Sequence, residues 1–214
     1  MVEIKHKENG KVIFRFDAPS LVDAHLNGVD LRGADLRGVD FTGTTFKACN
    51  LADADCRMAN FSNAQFHNCM LKRVNFGEAV LEDVEMSDAV LDASDWIGAK
   101  ASRIALRHAK LNNANMTQAD FSNSDCSFAE MRANMIHANL SGANLYGVDF
   151  SGADLSQANL ENANMTGAKI LGAKFSYAKM QGSISTNGKP WGANAPTAKA
   201  SEKRPWWQIW RAAI

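Results

Sequence analysis

A large apolar residue recurs at every fifth position from Leu21 to Met180. A small residue precedes each large one by two positions, and a polar residue, usually Asp or Asn, stands between them. This period is neither the ~3.6 residues of an α-helix nor the ~2 residues of a β-strand. Self-similarity over such a length predicts an array of stacked repeats.

Five residues that bury one large and one small side chain need a short extended segment followed by a turn. Four such units close a square coil, so equivalent side chains return every 20 residues, as in the column Leu31, Leu51, Leu71, Leu91, Leu111 and Met131. Parallel rungs lie roughly 4.8 Å apart, so about eight coils form a rod near 40 Å long. We expect the large and small residues to be buried in a filled column and the residue after each large one to be exposed.

Two irregularities interrupt the period. Met135 follows Met131 after only four residues, which predicts a pinched corner with continuous strand pairing above and below it. Trp96 occupies a large position whereas Ala101, the next large position, is small. We expect the indole to fill the volume that the alanine leaves, because interiors tolerate such swaps when total volume is kept.

The repeating unit resembles that of the pentapeptide-repeat family, with consensus A(D/N)LXX. It stands here as Ala34-Asp35-Leu36-Arg37-Gly38, Ala143-Asn144-Leu145-Tyr146-Gly147 and Ala153-Asp154-Leu155-Ser156-Gln157. The resemblance covers about three quarters of the chain. It implies an all-β fold, a right-handed quadrilateral parallel β-helix, and for several members dimerisation through C-terminal elements.

The ends of the array predict the domain organisation. Residues 1–17 read as two alternating runs around Asn9-Gly10, a β-hairpin signal, with Val12, Phe14 and Phe16 on one face to cap the first coil. Residues 18–180 form the solenoid, 181–205 a linker with Pro and Gly, and 206–214 a Trp-rich segment.

Trp206, Trp207 and Trp210 mark this C-terminal segment as an anchor. It can cap the last coil, dock on a second copy or another protein, or lie in a membrane interface. We expect a protein contact in preference to lipid. The segment is too short to span a bilayer.

Charge is distributed unevenly, although the formal net charge is zero. Residues 18–180 carry 19 Asp and Glu against 14 Lys and Arg, and residues 181–214 carry five basic residues against one acid. An acidic block without basic residues contains our candidate partner-binding residues Glu82, Asp83, Glu85, Asp88, Asp92 and Asp95. Glu78 also belongs to this block. A basic block follows it, without an acidic residue among its members Lys100, Arg103, Arg107 and Lys110. A merely solvated face is the alternative interpretation.

No pattern of residues indicates a catalytic, metal-binding or cofactor-binding site. His6, His25, His67, His108 and His137 lack metal-ligand spacing, and no phosphate-binding loop is present. We therefore predict a non-enzyme without catalytic, metal or cofactor residues. The four cysteines all fall at inward positions. Cys49 and Cys69 are one coil apart, so a disulfide is conceivable, but reduced buried cysteines in a cytoplasmic protein are the preferred interpretation.

Two function hypotheses follow. The first is a non-catalytic interaction rod, a scaffold or adaptor that presents its surface and its Trp-rich tail to another protein or a second copy. The second, implied by the family resemblance, is a DNA mimic that inhibits or protects a type II topoisomerase. A ~40 Å duplex carries about 23 phosphates, whereas residues 18–180 have a net charge of −5, 14 minus 19. We do not expect direct nucleic-acid binding.

Overall fold

The structure, a computed structural model, describes residues 1–191, and these contain strands, bridges and turns but no helix. The strands are β1 (Val2–His6), β2 (Val12–Phe16), β3 (His25–Asn27), β4 (Ala34–Asp35), β5 (Thr45–Lys47) and β6 (Gln65–His67). Beyond β6 each side of the coil is so short that it forms a single bridge to the next coil. The predicted all-β quadrilateral coil is confirmed.

Parallel pairing between residues 20 apart builds the rod. β3 pairs with β5 and β5 with β6, with Leu26 opposite Phe46 and Phe46 opposite Phe66. Single bridges continue the pairing on all four sides as far as Lys169, Lys174, Lys179 and Ile184. Because every fifth residue turns a corner, four columns of large side chains meet along one axis.

The core follows the predicted pattern. The column from Leu31 to Leu111 is 0% exposed, and so are most other large and small positions. Residues after the large ones are exposed or half-buried, except the small Ala52, Gly77 and Ser127. The pattern weakens in the last coil, where Ile170 and Phe175 are only partly buried.

Most corners are tight turns closed by a backbone hydrogen bond. The N–H of the small residue donates to the C=O of the preceding large one, as in Ala114 to Leu111 at 3.2 Å. The residue before the small one has a positive φ, whether it is glycine, as at Gly38, or not, as at Ala93 with φ 58°. This left-handed conformation costs a non-glycine residue ~1–2 kcal/mol.

The corner at Met131 is pinched, as predicted. The Ala133 N–H donates to the C=O of Met131 at 2.9 Å, a hydrogen bond two residues apart in place of three, and no positive-φ residue separates them. Pairing continues across the slip, because Glu130 bridges Asp149 and Asn134 bridges Asp154. The missing residue is therefore the left-handed one, and a three-residue turn replaces the β-turn.

The Trp96 indole is fully buried and extends towards the next rung. Its ring centroid lies 4.7 Å from that of Phe76 and 5.5 Å from that of Phe121, the residue one coil beyond Ala101. Its Nε1–H donates to Ser94 Oγ at 2.7 Å, and that hydroxyl donates to the C=O of Leu91. The position next to Phe121 agrees with the expected filling of the space beside Ala101.

The hairpin β1–β2 closes part of the N-terminal end. β1 pairs antiparallel with β2 and, on its other edge, with β4 of the first coil. Ile4 is 2% exposed, whereas Phe14 and Phe16 are partly buried against the core and Val12 is not among the residues that pack there. His6 lies over Gly33, where a Cβ atom would approach its Nε2 to 2.5 Å. The division into cap, solenoid, linker and tail stays a prediction.

The four cysteines are free and buried. Cys49 and Cys69 occupy neighbouring rungs, and their Sγ atoms lie 3.2 Å from the C=O of Leu26 and 3.5 Å from that of Phe46. Burial raises the pKa of the Cys126 thiol to about 12. The thiols are thus part of the core.

Candidate interaction surfaces

The acidic block does not form one acidic face. Glu82 and Asp83 stand at one corner of their coil, Glu85 lies on the following side, and Asp88 stands at the next corner. Asp92 and Asp95 lie further round the same coil. The seven acidic residues from Glu78 to Asp95 are therefore distributed around the rod, because the chain turns a corner every five residues.

The basic block lies directly above the acidic one and neutralises part of it. Arg103 donates two hydrogen bonds to Asp83, at 2.8 and 2.7 Å, and contacts Glu82 at 3.3 Å. Arg107 bridges Glu85 at 3.2 Å and Asp125 at 3.5 Å. The Arg103 hydrogen bonds hold the pKa of Asp83 below its usual value.

The other three candidates have weaker partners. Asp92 accepts hydrogen bonds from Asn112, and Asp95 accepts one from the N–H of Ile97 at 3.1 Å. Asp88 forms no ion pair within residues 1–191. The structure brings Glu82, Asp83 and Glu85 together with arginines and separates them from Asp88, Asp92 and Asp95. That these six bind a partner stays a prediction.

One side of the rod carries the expected column of polar side chains. Bridges connect Asp35, Asp55, Asn75, Asp95, Asn115, Asn134 and Asp154 in that order. Arg37 pairs with Asp35 at 2.7 Å and Arg57 with Asp55 at 2.7 Å. Many of these oxygens accept the N–H two residues on, so they also stabilise the corners.

An aromatic strip, His108, Phe128 and Tyr146, runs along another corner. The His108 and Phe128 rings stack with centroids 5.2 Å apart and planes 3° apart, and Tyr146 meets Phe128 edge-on at 5.3 Å. Phe128 is 50% and Tyr146 44% exposed. Such rings offer apolar area together with polar atoms and are enriched in protein interfaces.

Gly147 makes room for this strip. A Cβ atom at Gly147 would approach Cδ1 and Cε1 of Phe128 to 2.8 Å, so the ring lies against bare backbone. Its stacking partners and this backbone contact restrict the Phe128 ring, although half of it faces solvent. A pre-ordered ring loses less entropy on binding than a free one.

Sequence reasoning missed this strip, although a signal for it exists. His108 and Phe128 stand two positions after a large residue, and Tyr146 stands one after. Elsewhere these corner positions hold mostly small or polar residues. Large aromatic residues at corners of successive coils are therefore the pattern to look for.

The described residues hold no group of three or more His, Cys, Asp or Glu that could bind a metal. An open recess near the hairpin is lined by His6, Ile13, Asp30 and Arg32. None of residues 1–191 belongs to a helix capable of crossing a bilayer. Trp206, Trp207 and Trp210 lie outside the described residues, so their role stays a prediction.

Two family descriptions match the sequence. "Pentapeptide repeat region" matches residues 39–116, and "Pentapeptide repeats (8 copies)" matches residues 20–55, 102–133, 131–152 and 149–184. Two of these segments meet at residues 131–133, the place of the one-residue slip. No curated protein sequence matches the chain significantly.

Solved structures of the same repeat type are similar at low identity. HetL, involved in heterocyst differentiation regulation in the cyanobacterium Nostoc sp. strain PCC 7120, is 23% identical over 78% of this chain and 92% of its own, with TM-score 0.35. A trypsin-treated form of QnrB1, a plasmid-mediated fluoroquinolone resistance protein, is 22% identical over 74% and 83%, with TM-score 0.45. A thylakoid-lumen protein of Arabidopsis thaliana is 26% identical over 53% and 63%, with TM-score 0.22.

Proposed function

Because the chain belongs to the pentapeptide-repeat family, we propose that it is a non-catalytic scaffold or adaptor that binds another protein through its outer surface and its Trp-rich tail. We place it in the cytoplasm because its four thiols are free and buried. The aromatic strip is the observation that carries the proposal. On this strip ordered aromatic rings, rather than paired charges, face solvent.

The rod's interior supports a role that uses the outside. Large side chains fill the axis, with Phe41 stacked on Phe61 at 4.9 Å and Phe46 on Phe66 at 4.5 Å. A partner can therefore contact only the side chains at the corners and on the sides of the rod. Many of the acidic residues on those sides are paired with basic residues. The half-exposed rings of the strip therefore offer the greater gain in binding free energy when a partner removes them from water.

A pair of matched corner variants tests the strip. In Phe128→Asn/Tyr146→Ser, asparagine tolerates the left-handed φ of 59° at position 128. The control, Met58→Asn/Ile97→Ser, removes exposed apolar side chains from equivalent corner positions on another edge, with φ 58° at Met58. We expect quantitative affinity capture to lose specific proteins with the strip variant and to keep them with the control.

Equal capture by wild type and the strip variant would contradict the strip's role. Equal losses with both variants would point to general apolar adhesion instead. Unfolding of each variant by heat is measured alongside, because only variants with the wild-type midpoint report on binding.

The tail is tested independently. Trp206→Ala/Trp210→Ala, and a chain ending at Ser201, should keep the fold of residues 1–191 and lose partners or change oligomeric state. Burial of three indoles, each of ~200 Å², can contribute several kcal/mol before ordering entropy is subtracted. If both variants match wild type in light scattering, capture and vesicle flotation, the tail has no anchoring role.

The charges weigh against the alternative, a DNA mimic of a type II topoisomerase substrate. A mimic needs a continuous row of carboxylates, whereas Arg37, Arg57 and Arg103 neutralise carboxylates along the rod. A gyrase supercoiling assay decides the matter. Inhibition or drug protection at micromolar protein would favour the mimic over the scaffold.

A further inference from the structure

The last described coil leaves three of its four sides open. Lys169, Lys174 and Lys179 pair with the coil below, and no described residue pairs with them from above. On the fourth side Ile184 pairs antiparallel with Pro190, where the chain turns back. The rod therefore ends, within residues 1–191, in an open backbone edge.

This edge has an excess of hydrogen-bond donors, which follows from the pairing of every coil. The N–H groups of Leu31 and Gly33 donate upwards to the C=O of Asn50 and Ala52, whereas only the Asn50 N–H donates downwards, to Val29. Each side thus directs two N–H groups towards the C-terminal end and one towards the N-terminal end. The peptide dipoles do not cancel, and their positive end is the C-terminal end of the rod.

In the last coil the upward N–H groups have no acceptor among the described residues. This applies to Ile170, Gly172, Phe175, Tyr177, Met180 and Gly182. On each open side the two N–H groups are accompanied by only one C=O that points the same way, equivalent to the Val29 C=O in the first coil. An acceptor-only partner such as a phosphate oxygen fits this edge better than a protein surface, which offers donors and acceptors together.

Side chains reinforce this preference. Lys169, Lys174 and Lys179, here called the lysine collar, are exposed on the three open sides. Lys174 reaches one carboxylate, Asp154, at 3.3 Å, and its side chain remains 68% exposed. The opposite end of the same ladders carries Asp30, Asp35 and Asp40. Backbone and side-chain charge therefore have the same sign at the C-terminal end.

Apolar side chains flank the collar. Leu171 is 77% and Tyr177 80% exposed, the highest values among the large hydrophobic residues described, and they stand at the two corners on either side of Lys174. Aromatic and aliphatic residues beside lysines are typical of surfaces that enter the headgroup region of a membrane.

The collar disfavours two other occupants. A two-fold contact between two such ends would place lysines against lysines and donors against donors. The rest of this chain, residues 192–214, carries Lys199, Lys203, Arg204 and Arg211 against Glu202, so it supplies no net negative charge to the collar. Neither a second rod end nor residues 192–214 supply the net negative charge that the collar attracts, so we infer an anionic partner.

We propose that the C-terminal end of the rod docks end-on against an anionic phospholipid surface. The lysine collar and the open N–H groups meet the headgroup phosphates, and Leu171 and Tyr177 enter the interface. The rod then stands away from the membrane and presents its sides, including the aromatic strip, to proteins. This contact does not depend on the protein partner proposed above.

Vesicle flotation of the full chain tests the proposal, with phosphatidylcholine vesicles and with phosphatidylcholine vesicles that contain phosphatidylglycerol. We expect binding to the anionic vesicles that weakens with salt. A lysine near an anionic surface contributes on the order of 1 kcal/mol, so Lys169→Gln/Lys174→Gln/Lys179→Gln should lower the partition coefficient roughly a hundredfold.

The matched control is Lys72→Gln/Lys100→Gln/Lys110→Gln, which removes three exposed lysines from the middle of the rod and changes the net charge equally. It should lower partitioning only slightly. Leu171→Ser/Tyr177→Ser should weaken binding also at high salt, whereas Met58→Ser/Ile97→Ser should not.

Several results would overturn the proposal. These are equal binding to both vesicle types, equal losses with the collar and mid-rod variants, or binding that depends on Trp206 and Trp210 but not on the collar. Self-association that requires the collar, seen by light scattering without vesicles, would assign the end to a second copy instead. Thermal unfolding of each variant confirms that the rod is intact.

Discussion

The middle of the rod and its last coil have the same repeat but very different surroundings. Phe76 and Phe175 occupy the same column, yet Phe76 is 0% exposed and packs against Trp96, whereas Phe175 is only half-buried. The Phe76 N–H donates to the C=O of Asp95 at 2.7 Å, and the Phe175 N–H has no acceptor in residues 1–191. The five-residue repeat alone therefore does not bury its large side chain.

Burial comes from the neighbouring coils. In a solenoid each repeat contacts only the repeats beside it, so a terminal repeat loses half of its interface. The N-terminal end compensates with the hairpin, where Ile4 is 2% exposed and β1 pairs with β4. At the described C-terminal end a turn closes one side and the Trp191 ring lies 6.4 Å from that of Phe175, but the backbone of the other three sides has no described partner above it.

Leu71→Asp should have the largest effect on stability. Leu71 is 0% exposed in the middle of the core, and a carboxylate there would have neither water nor a partner. We expect a loss of more than about 4 kcal/mol in the free energy of unfolding, measured by chemical denaturation. Lys72→Asp, at the exposed neighbouring position, should change it little. Similar losses for both would refute the inward column.

The two phenylalanines of one column compare middle and end directly. Phe76→Ala should cost ~3–5 kcal/mol, because it leaves a cavity between packed rungs. Phe175→Ala should cost ~1–2 kcal/mol, because that ring is already partly solvated. Equal costs in thermal and chemical unfolding would show that the last coil is as well covered as the middle.

An ion pair at the pinched corner gives a smaller, pH-dependent effect. Arg132 donates to Asp149 Oδ2 at 2.6 and 3.2 Å, and Asp149 is 8% exposed. These hydrogen bonds hold the pKa of Asp149 well below its usual value. Its stabilising contribution is therefore present above the unfolded-state pKa near ~4 and lost as pH falls through the folded-state pKa.

Asp149→Asn should consequently cost ~1–2 kcal/mol at neutral pH, and the difference from wild type should shrink below pH ~4. The comparison at the C-terminal end is Asp154→Asn, one coil below the last, whose partner Lys174 is largely exposed. There we expect less than ~0.5 kcal/mol. A pH-independent loss at Asp149 would indicate that packing, not charge, holds the corner.

The sequence predicts most of the fold because the period is a local property. The inward columns, the pinched corner at Met131 and the filling beside Ala101 all follow from counting residues and volumes. The number of residues missing from the corner even predicts that pairing continues across it.

Surface arrangement was harder to predict because it depends on which rungs become neighbours. The acids from Glu82 to Asp95 are contiguous in sequence, but corners distribute them around the rod and place Arg103 and Arg107 above them. The aromatic strip combines two different corner positions, so a search of the large position alone overlooks it. The donor excess at the C-terminal end is a property of backbone direction, which side-chain patterns do not report.

The corner residues give the smallest effect, and it should be the same in the middle and at the end. Ala93 in the middle and Tyr177 in the last coil have φ of 58° and 61° and are both exposed. Glycine relieves ~1–2 kcal/mol of left-handed strain but loses ~0.5–1 kcal/mol of chain entropy. Ala93→Gly and Tyr177→Gly should thus each stabilise by ~0.5 kcal/mol, measured by denaturation. Strain is set by φ within one pentad, whereas burial is set by the neighbouring coils, so a gain at Ala93 without one at Tyr177 would show that the last corner is shaped by its surroundings too.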